Sequence, residues 1–342
     1  MTRKTASAAA AVEVVDLVKT YSAGRKHPPV TALDRISFAI PEGSVYGMLG
    51  PNGAGKSTTT KICTTLATAT SGSAWVAGLD VRTHADQVRR RIGYVSQGTG
   101  ADPRQTPREN LVLSARLRGI PRVDAGDRAD ALLDRFDLTD AADRKIAALS
   151  GGMRRKLDVA IALVHSPSVL FLDEPTTGLD PESRAQMWAE IRRLAAERSI
   201  TVVLTTHYLE EADELADRLV IVDHGRVVVE GTPEELKSRL DGDTISVDLL
   251  APDVATVRAT AESLGLLRHV VIDAHGPTGR MIARADDPPA IIGRVISAFE
   301  QAGIAFGAVS VSRPTLEDVY LHYAGKAYRA DDSDEQSVEV AA

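Results

Sequence analysis

A nine-residue stretch that begins at Gly50 constrains this chain more than any other part of its sequence. It reads Gly50, Pro51, Asn52, Gly53, Ala54, Gly55, Lys56, Ser57, Thr58 and matches the phosphate-binding pattern G-x-x-x-x-G-K-[ST] throughout. Its glycines let successive backbone N–H groups turn inward around an anion. An apolar run at 44–49 precedes it, and a helix is predicted at about 57–66. The sequence therefore predicts a strand, a phosphate loop and a helix whose positive end faces the phosphates.

Two side chains of this loop, and two acids later in the chain, have the chemistry of phosphoryl transfer. Lys56 supplies a charge for the β- and γ-phosphates, and Ser57 offers a hydroxyl to Mg²⁺. The apolar run 168–172 predicts a buried strand that ends in Asp173 and Glu174. An aspartate at such a strand end holds the Mg²⁺ shell, and the next carboxylate can polarise the attacking water. The alternative is that the two acids only cap a helix.

Ser150, Gly151 and Gly152 form a second candidate anion site. They precede a predicted helix at 153–164, whose first N–H groups they would expose. A Ser-Gly-Gly sequence is also a common turn. One nucleotide does not need two such sites from one chain, whereas a symmetric dimer does, if the second site of each chain closes on the nucleotide of the other.

Composition limits the possible classes of protein. A chain of 342 residues is long enough for two domains. Its formal net charge of -7 gives no support to a nucleic-acid partner. It has no apolar run of 18 residues or more, so no membrane span is predicted. The single cysteine, Cys63, excludes an internal disulfide.

The pattern of elements predicts an α/β domain at 12–240, after a disordered tail at 1–11. Residues 12–48 have the pattern of an antiparallel β segment. Helical spacing at 108–118 and 127–136 predicts a helical insertion at about 100–165. Strands are predicted again at 168–172, 201–205 and 219–223, and the first two are almost continuously apolar, as in a sheet covered on both faces.

A second, smaller unit is predicted at 244–325. Its elements follow the order β-α-β-β-α-β, which predicts a C-terminal α+β domain of the ferredoxin-like kind. A short helix is predicted at 315–323. The acidic segment 326–342 is predicted to be a disordered tail.

Taken together, the motifs of residues 12–240 resemble the ATPase subunit of ATP-binding-cassette (ABC) transporters. Seven motifs occur in the family's order: Tyr21, the phosphate loop, Gln97, the signature 149–153, the pair Asp173 and Glu174, the loop 178–180 with Asp180, and His207. The signature has Met153 where glutamine is commoner. The resemblance implies a P-loop ABC cassette fold, in which a RecA-like core carries an antiparallel β subdomain and a helical insertion.

The resemblance also implies roles for these residues, each with a simpler alternative. Tyr21 would stack on adenine, or be only a surface aromatic residue. Gln97 would contact Mg²⁺ and the lytic water, or be a turn residue. His207 would contact the γ-phosphate, or be merely packed. Asp180 would contact the other subunit, or cap the helix that begins at Pro181.

The end of the chain is similar to a narrower group of exporters. Residues 310–321 resemble the closing motif of ATPase subunits of the daunorubicin-resistance type. This motif recurs in exporter ATPases for lipids, polysaccharides and sodium. Alternatively, Leu316, Val319 and Tyr320, at helical spacing, only dock the last helix onto the second domain.

The resemblance implies a homodimer in which two copies enclose two ATP·Mg²⁺. It also implies a separately encoded integral membrane permease, with this chain peripheral at the cytoplasmic face of the membrane. The expected function is ATP hydrolysis that powers export of a drug, antibiotic or other hydrophobic natural product. The alternatives are an exporter of lipid, polysaccharide or sodium, a soluble cassette ATPase that acts on ribosomes or chromosomes, and a nucleotide sensor. One cassette without a heptad run disfavours the ribosome and chromosome classes, and the presence of Glu174 and His207 disfavours a sensor.

Overall fold

The computed structural model describes residues 10–22, 28–98, 100–197, 200–240, 242–276, 278–324 and 328. The chain forms two compact units, the first ending at Glu230 and the second running from Gly231 to Arg329. None of the helices in the described ranges combines the length and the apolar character that a bilayer crossing needs.

Within the described ranges, the first unit contains ten strands and seven α-helices. The strands are β1 Ala10–Tyr21, β2 Val30–Pro41, β3 Val45–Leu49, β4 Ser71–Val76, β5 Leu79–Asp80, β6 Ile92–Val95, β7 Val169–Asp173, β8 Thr201–Thr206, β9 Arg218–Asp223 and β10 Arg226–Gly231. The helices are α1 Lys56–Cys63, α2 Ala85–Arg91, α3 Pro107–Leu117, α4 Arg122–Arg135, α5 Gly151–Leu163, α6 Pro181–Ala196 and α7 Leu209–Leu215.

A six-stranded sheet, in the order β10-β9-β3-β8-β7-β6, forms the centre of this unit. The pairs β3–β8, β3–β9, β7–β8 and β6–β7 are all parallel. Every residue of β3, β7 and β8 is buried, which explains their continuous apolar runs. Because the strands are parallel, the loops that follow β3, β6, β7 and β8 leave the same edge of the sheet.

A second sheet, in the order β2-β1-β4-β5, is antiparallel and confirms the predicted antiparallel β segment. Two features of this sheet differ from the prediction. β1 begins at Ala10, so two residues of the predicted tail 1–11 belong to a strand, while residues 1–9 lie outside the described ranges. The sheet also includes β4 and β5, which follow the phosphate loop and were not predicted, because they are short and have no continuous apolar run.

The helical insertion consists of α3, α4, two 3₁₀ turns at Thr139–Ala141 and Ile146–Ala148, and α5. The two predicted helices are present, although α4 begins five positions before the predicted 127, at Arg122. Thr106 and Glu109 form a capping box that starts α3. Leu111, Leu133 and Leu157 are buried in the core between these helices.

The second unit contains α8 Pro233–Ser238, β11 Asp243–Leu250, α9 Val254–Ser263, β12 Arg268–His275, β13 Thr278–Ala285, α10 Pro288–Gln301, β14 Phe306–Ser312 and α11 Leu316–Ala324. From β11 to β14 the order is the predicted β-α-β-β-α-β. The sheet order is β12-β13-β11-β14, with antiparallel pairs throughout. The ferredoxin-like assignment stays a prediction.

The limits of the second unit differ from those proposed from the sequence. The unit starts before the predicted residue 244 because it includes α8, which packs against α11. The domain limits 12–240 and 244–325 therefore stay a proposal. The predicted acidic tail 326–342 lies outside the described residues, except for Tyr328, whose ring contacts that of Tyr320.

The closing motif attaches α11 to the sheet of the second unit. Leu316, Val319 and Tyr320 are buried, as the docking interpretation predicts. A buried carboxylate, Asp318, accepts hydrogen bonds from the Thr315 N–H at 2.8 Å and hydroxyl at 2.9 Å, and from the Thr244 hydroxyl of β11 at 3.1 Å. Arg284 of β13 lies 3.7 Å from the same carboxylate. The motif therefore has a structural role in this unit.

This network predicts a large stability effect at Asp318. Asp318→Ala leaves the buried Arg284 without its counter-charge, so the second unit should lose about 3 kcal/mol of unfolding free energy. Asp286→Ala is the matched control, because Asp286 pairs with Arg268 at the surface, and it should cost less than about 1 kcal/mol. Hydrogen exchange of the β11–β14 amides during urea unfolding measures both. Equal losses for the two variants would contradict the structural role of Asp318.

Candidate functional site

The phosphate loop lies between β3 and α1, as predicted. Two of its glycines are required by close packing against the protein. A Cβ at Gly50 would lie 2.1 Å from the Val222 carbonyl oxygen. Gly55 has a φ of 103°, and a Cβ there would lie 2.7 Å from the Ala32 carbonyl oxygen. The loop therefore packs directly against the backbone of β9 and β2, which fixes its path.

Lys56 is folded back over the loop. Its Nζ donates to the carbonyl oxygens of Gly50 at 2.6 Å and Pro51 at 2.9 Å, and the residue is only 4% exposed. Burial lowers the pKa of this ammonium, while the nearby Glu174 and Asp173 act in the opposite direction. A buried cation on a glycine-rich loop fits a phosphate group.

Ser57 and Asp173 meet beside the loop. The Ser57 hydroxyl donates to Asp173 Oδ1 at 3.0 Å, and the Thr205 hydroxyl donates to the same oxygen at 2.6 Å. A hydroxyl and a carboxylate are oxygen ligands that suit Mg²⁺ when phosphates and water complete its shell. Within the described ranges, no group of three or more His, Cys, Asp or Glu side chains could hold a metal alone. The residues present therefore fit a nucleotide-bound Mg²⁺.

Glu174 and His207 form a close pair. Nδ1 of His207 lies 3.2 Å from Oε1 of Glu174, and the Thr177 hydroxyl donates to Oε2 at 3.1 Å. Burial opposes the charge of Glu174, but His207, Lys56 and Thr177 outweigh it, so that the pKa of this carboxyl lies below its usual value. The structure thus brings Lys56, Asp173, Glu174 and His207 together, with Glu174 ionised.

Gln97 lies at the same edge of the sheet as these groups. Val95, the last residue of β6, pairs with Leu172 of β7, so the loop with Gln97 starts beside Asp173. The Gln97 side chain is exposed. Its predicted contact with Mg²⁺ and water stays a prediction.

Ser150, Gly151 and Gly152 begin α5, as predicted. The Ser150 hydroxyl accepts from the Met153 N–H at 3.2 Å and caps the helix. A Cβ at Gly152 would lie 2.6 Å from the Ser183 hydroxyl oxygen, so the start of α5 packs against the start of α6. Ser150 and Gly151 are exposed.

Asp180 is the N-cap of α6, as its simpler interpretation predicts. Its two carboxylate oxygens accept from the Ser183 N–H at 2.9 Å and hydroxyl at 2.7 Å. These hydrogen bonds lower the pKa of the Asp180 carboxyl. A contact of Asp180 with a second subunit stays a prediction.

Tyr21 ends β1 and is 41% exposed, with the Lys19 ammonium 4.7 Å from the centre of its ring. It pairs with Val30 of β2, the strand whose Ala32 approaches Gly55. Tyr21 is therefore on the strand pair beside the phosphate loop. Stacking on adenine stays a prediction.

Three residues of this region were missed from the sequence: Arg155, Thr205 and Glu211. Thr205 accepts from the Glu174 N–H at 3.1 Å while donating to Asp173, so it orients both acids. Glu211 of α7 is fully buried. The available signal was its helical spacing with Ala212 and Leu215, which places a carboxyl on the apolar face of the helix.

The Glu211 carboxyl connects the segments that follow β7 and β8. Its Oε1 accepts from the Thr176 hydroxyl at 2.8 Å and from the Trp188 indole N–H at 3.1 Å. Burial raises the pKa of this carboxyl, and the hydrogen bonds and Arg184 only partly oppose the increase. α7, which follows His207, is thereby joined to the turn after Glu174.

The family model described as "ABC transporter" matches residues 33–177. The daunorubicin/doxorubicin resistance ATP-binding protein DrrA of Streptomyces peucetius is 43% identical over 97% of this chain and 96% of its own length. The doxorubicin resistance ATP-binding protein DrrA of Mycobacterium tuberculosis is 40% identical, over 91% and 92%. The Nod factor export ATP-binding protein I of Ralstonia nicotianae is 36% identical, over 89% and 92%.

Among solved structures, the fold is similar to a dimeric ATP-binding cassette in a post-hydrolysis state, bound to ADP and Pi. That cassette is 28% identical, with a TM-score of 0.59, over 65% of this chain and 98% of its own. A second similar structure is cbiO1 of Clostridium perfringens, part of the ABC transporter complex cbiONQ. It is 25% identical, with a TM-score of 0.61, over 75% and 96%.

Glu211 predicts a pH dependence of stability. Because its folded pKa lies above the unfolded value, its contribution is complete below the ordinary pKa of glutamate and is lost as pH rises through the folded pKa. Glu211→Gln, which does not titrate, should therefore gain stability relative to the wild type as pH rises from 5 to 8, with a slope of at most about 1.4 kcal/mol per pH unit.

Urea unfolding at the two pH values measures this difference. The control is Glu210→Gln, at the exposed neighbour, which should change stability equally at both. A difference between wild type and Glu211→Gln that is the same at pH 5 and pH 8 would show that Glu211 does not titrate in this way.

Proposed function

Because this chain belongs to the ABC transporter family as an ATP-binding, ATP-hydrolysing subunit, we propose that it powers the export of a drug, antibiotic or other hydrophobic natural product through a separate membrane permease. The observation that carries this proposal is the extent of the likeness to drug-resistance ATP-binding proteins, which spans both units of the chain. The Nod factor export relatives favour a second candidate. In that case the cargo would be of another kind, such as a lipid or polysaccharide.

The phosphate loop and Asp173 would hold ATP with Mg²⁺. Lys56 would exchange its carbonyl partners for oxygens of the β- and γ-phosphates, and Ser57 and Asp173 would be the metal ligands, with Gln97 approaching from its loop. Bound Mg²⁺ would neutralise charge that develops on the phosphates. Tyr21, on the strand pair beside the loop, would stack on adenine.

Glu174 would orient and deprotonate the attacking water. An ionised carboxylate is the required form, which agrees with the lowered pKa of Glu174. The water oxygen bonds to the γ-phosphorus as the bond to the ADP oxygen breaks, and the proton passes from water to Glu174 and then to the released phosphate. His207, 3.2 Å from Glu174, would hold the carboxylate in place and contact the γ-phosphate.

A homodimer would complete the site. Ser150 and Gly151 are exposed at the start of α5, so their side of the helix is accessible to a second copy. There the first N–H groups of the helix would bind the γ-phosphate of the nucleotide held by the other chain. Asp180, which caps the adjacent α6, would lie at the same subunit contact. The pair would work at the cytoplasmic face of the membrane, against the permease.

The first test is Glu174→Gln. This variant should bind ATP, accumulate a closed dimer and lose hydrolysis by about 100-fold or more, because the general base is absent. ATP turnover, nucleotide binding and size-exclusion chromatography with ATP measure the three effects. Glu182→Gln, at an exposed glutamate of α6, is the matched control and should behave like the wild type. Lys56→Ala should instead fail to bind or turn over ATP. Hydrolysis by Glu174→Gln at the wild-type rate would refute the role of Glu174.

The second test addresses the permease and the cargo. Cells that make this chain with the membrane protein encoded beside it should accumulate less daunorubicin than cells that make either protein alone, and the two proteins should co-purify from membranes. Glu174→Gln should abolish the difference while keeping the complex. A complex that lowers no drug level, but exports a lipid or polysaccharide, would decide for the second candidate.

A further inference from the structure

Arg155 connects three segments of the site through their backbone. It lies on α5 and is only 8% exposed. Its Nε donates to the Pro175 carbonyl at 2.8 Å, and its Nη2 donates to the carbonyls of Asp173 and Glu174, each at 3.0 Å. Its Nη1 donates to the Ser96 carbonyl at 2.6 Å. One side chain thus joins α5, the turn that carries Glu174 and the loop that carries Gln97.

The turn at Glu174 explains how three consecutive carbonyls reach one guanidinium. β7 ends at Asp173, and Glu174 has a φ of 48°, in the left-handed region that is unfavourable for this residue type. The carbonyls of residues 173–175 then face a common donor rather than alternate sides. Arginine supplies five N–H groups in a fixed plane, whereas lysine supplies one nitrogen.

The same face of α5 also holds the other end of the Gln97 loop. Asp158, one helical turn after Arg155, accepts from the Gly100 N–H at 3.1 Å. Ser96 and Gly100 lie on either side of Gln97 in the chain. The loop is therefore attached to α5 at both ends while the Gln97 side chain stays exposed.

We propose that Arg155 is a positioning residue for ATP hydrolysis. It holds the backbone of Glu174 and of the Gln97 loop in place relative to α5, the signature helix, which begins within the signature 149–153. Ser150 caps this same helix, so a shift of its first turn onto a nucleotide moves Arg155 with it. The Glu174 carboxylate then reaches the position in which it can orient water only when the first turn of α5 binds a nucleotide. This inference rests on the proposed function.

A purely structural attachment would give a different pattern of defects. Arg155 hydrogen-bonds to backbone carbonyls outside the phosphate loop, so its loss should spare ATP binding and lower kcat alone. An attachment that only stabilises the unit would lower ATP affinity and thermal stability together. The part of the effect that acts through Glu174 should disappear when the Glu174 carboxylate is absent, so the loss of Arg155 should cost less in that background.

The experiment compares Arg155→Lys and Arg155→Met with Arg154→Lys and Arg154→Met, at the exposed neighbour. We expect the Arg155 variants to lose about tenfold or more in kcat, because small misplacements of catalytic groups are costly, with unchanged ATP affinity. The Arg154 variants should match the wild type. Arg155→Lys added to Glu174→Gln should lower the residual single-turnover hydrolysis by a clearly smaller factor than Arg155→Lys does in the wild type. If Arg155→Met does not fold, Arg155→Lys decides.

Three results would overturn the inference: wild-type kcat in Arg155→Lys, a parallel loss of ATP affinity and kcat, or a full additional loss in the Glu174→Gln background. If the wild-type chain hydrolyses ATP and one of these three results is found, the role of Arg155 is rejected and the proposed function is left intact. A wild-type chain that binds ATP but hydrolyses none, alone or with its permease, refutes the proposed function and this inference with it.

Discussion

The parallel pairing of β3, β8 and β7 determines where chemistry can take place in the first unit. Leu49 lies opposite Thr206, and Asp173 lies opposite Thr205. The three strands therefore end at the same edge of the sheet. The phosphate loop, the two acids and His207 all lie at that edge. A slip of one residue between β7 and β8 would reverse the facing of every side chain on the strand and break the bond from Thr205 to Asp173. The site thus depends on this register.

Around that edge, buried polar groups fix the backbone. Thr205 pairs with the N–H of Glu174 and with the Asp173 carboxylate, while Arg155 pairs with the carbonyls on the other side. Burial of such groups is costly unless they are hydrogen-bonded. These bonds converge on a left-handed residue, Glu174, whose backbone conformation is unfavourable in isolation. The surrounding hydrogen bonds therefore offset the backbone strain at Glu174, and this backbone conformation sets the direction of the carboxylate.

Much of this arrangement could be predicted from the sequence, because the phosphate loop and the apolar runs of β7 and β8 are local signals. The order of elements in the second unit was accessible for the same reason. The short strands β4 and β5 have no such signal, and they form through the pairing of β4 with β1 and of β5 with β4. Arg155 is a similar case, because its position in the sequence does not reveal that distant carbonyls converge on it. Gln97 could be located in its loop, but its side chain is exposed, and its contact with Mg²⁺ and the lytic water stays a prediction.

The signature helix and the Glu174 turn are held together at two places. Gly152 packs on Ser183, which is bonded to the Asp180 cap, and Arg155 binds the turn itself. In a dimer of the proposed type, the first turn of α5 faces one nucleotide while Glu174 of the same chain faces the other. A shift of α5 at one nucleotide then reaches Glu174 at the other through these two attachments. Because both lie within the first unit, this coupling requires no contribution from the second unit.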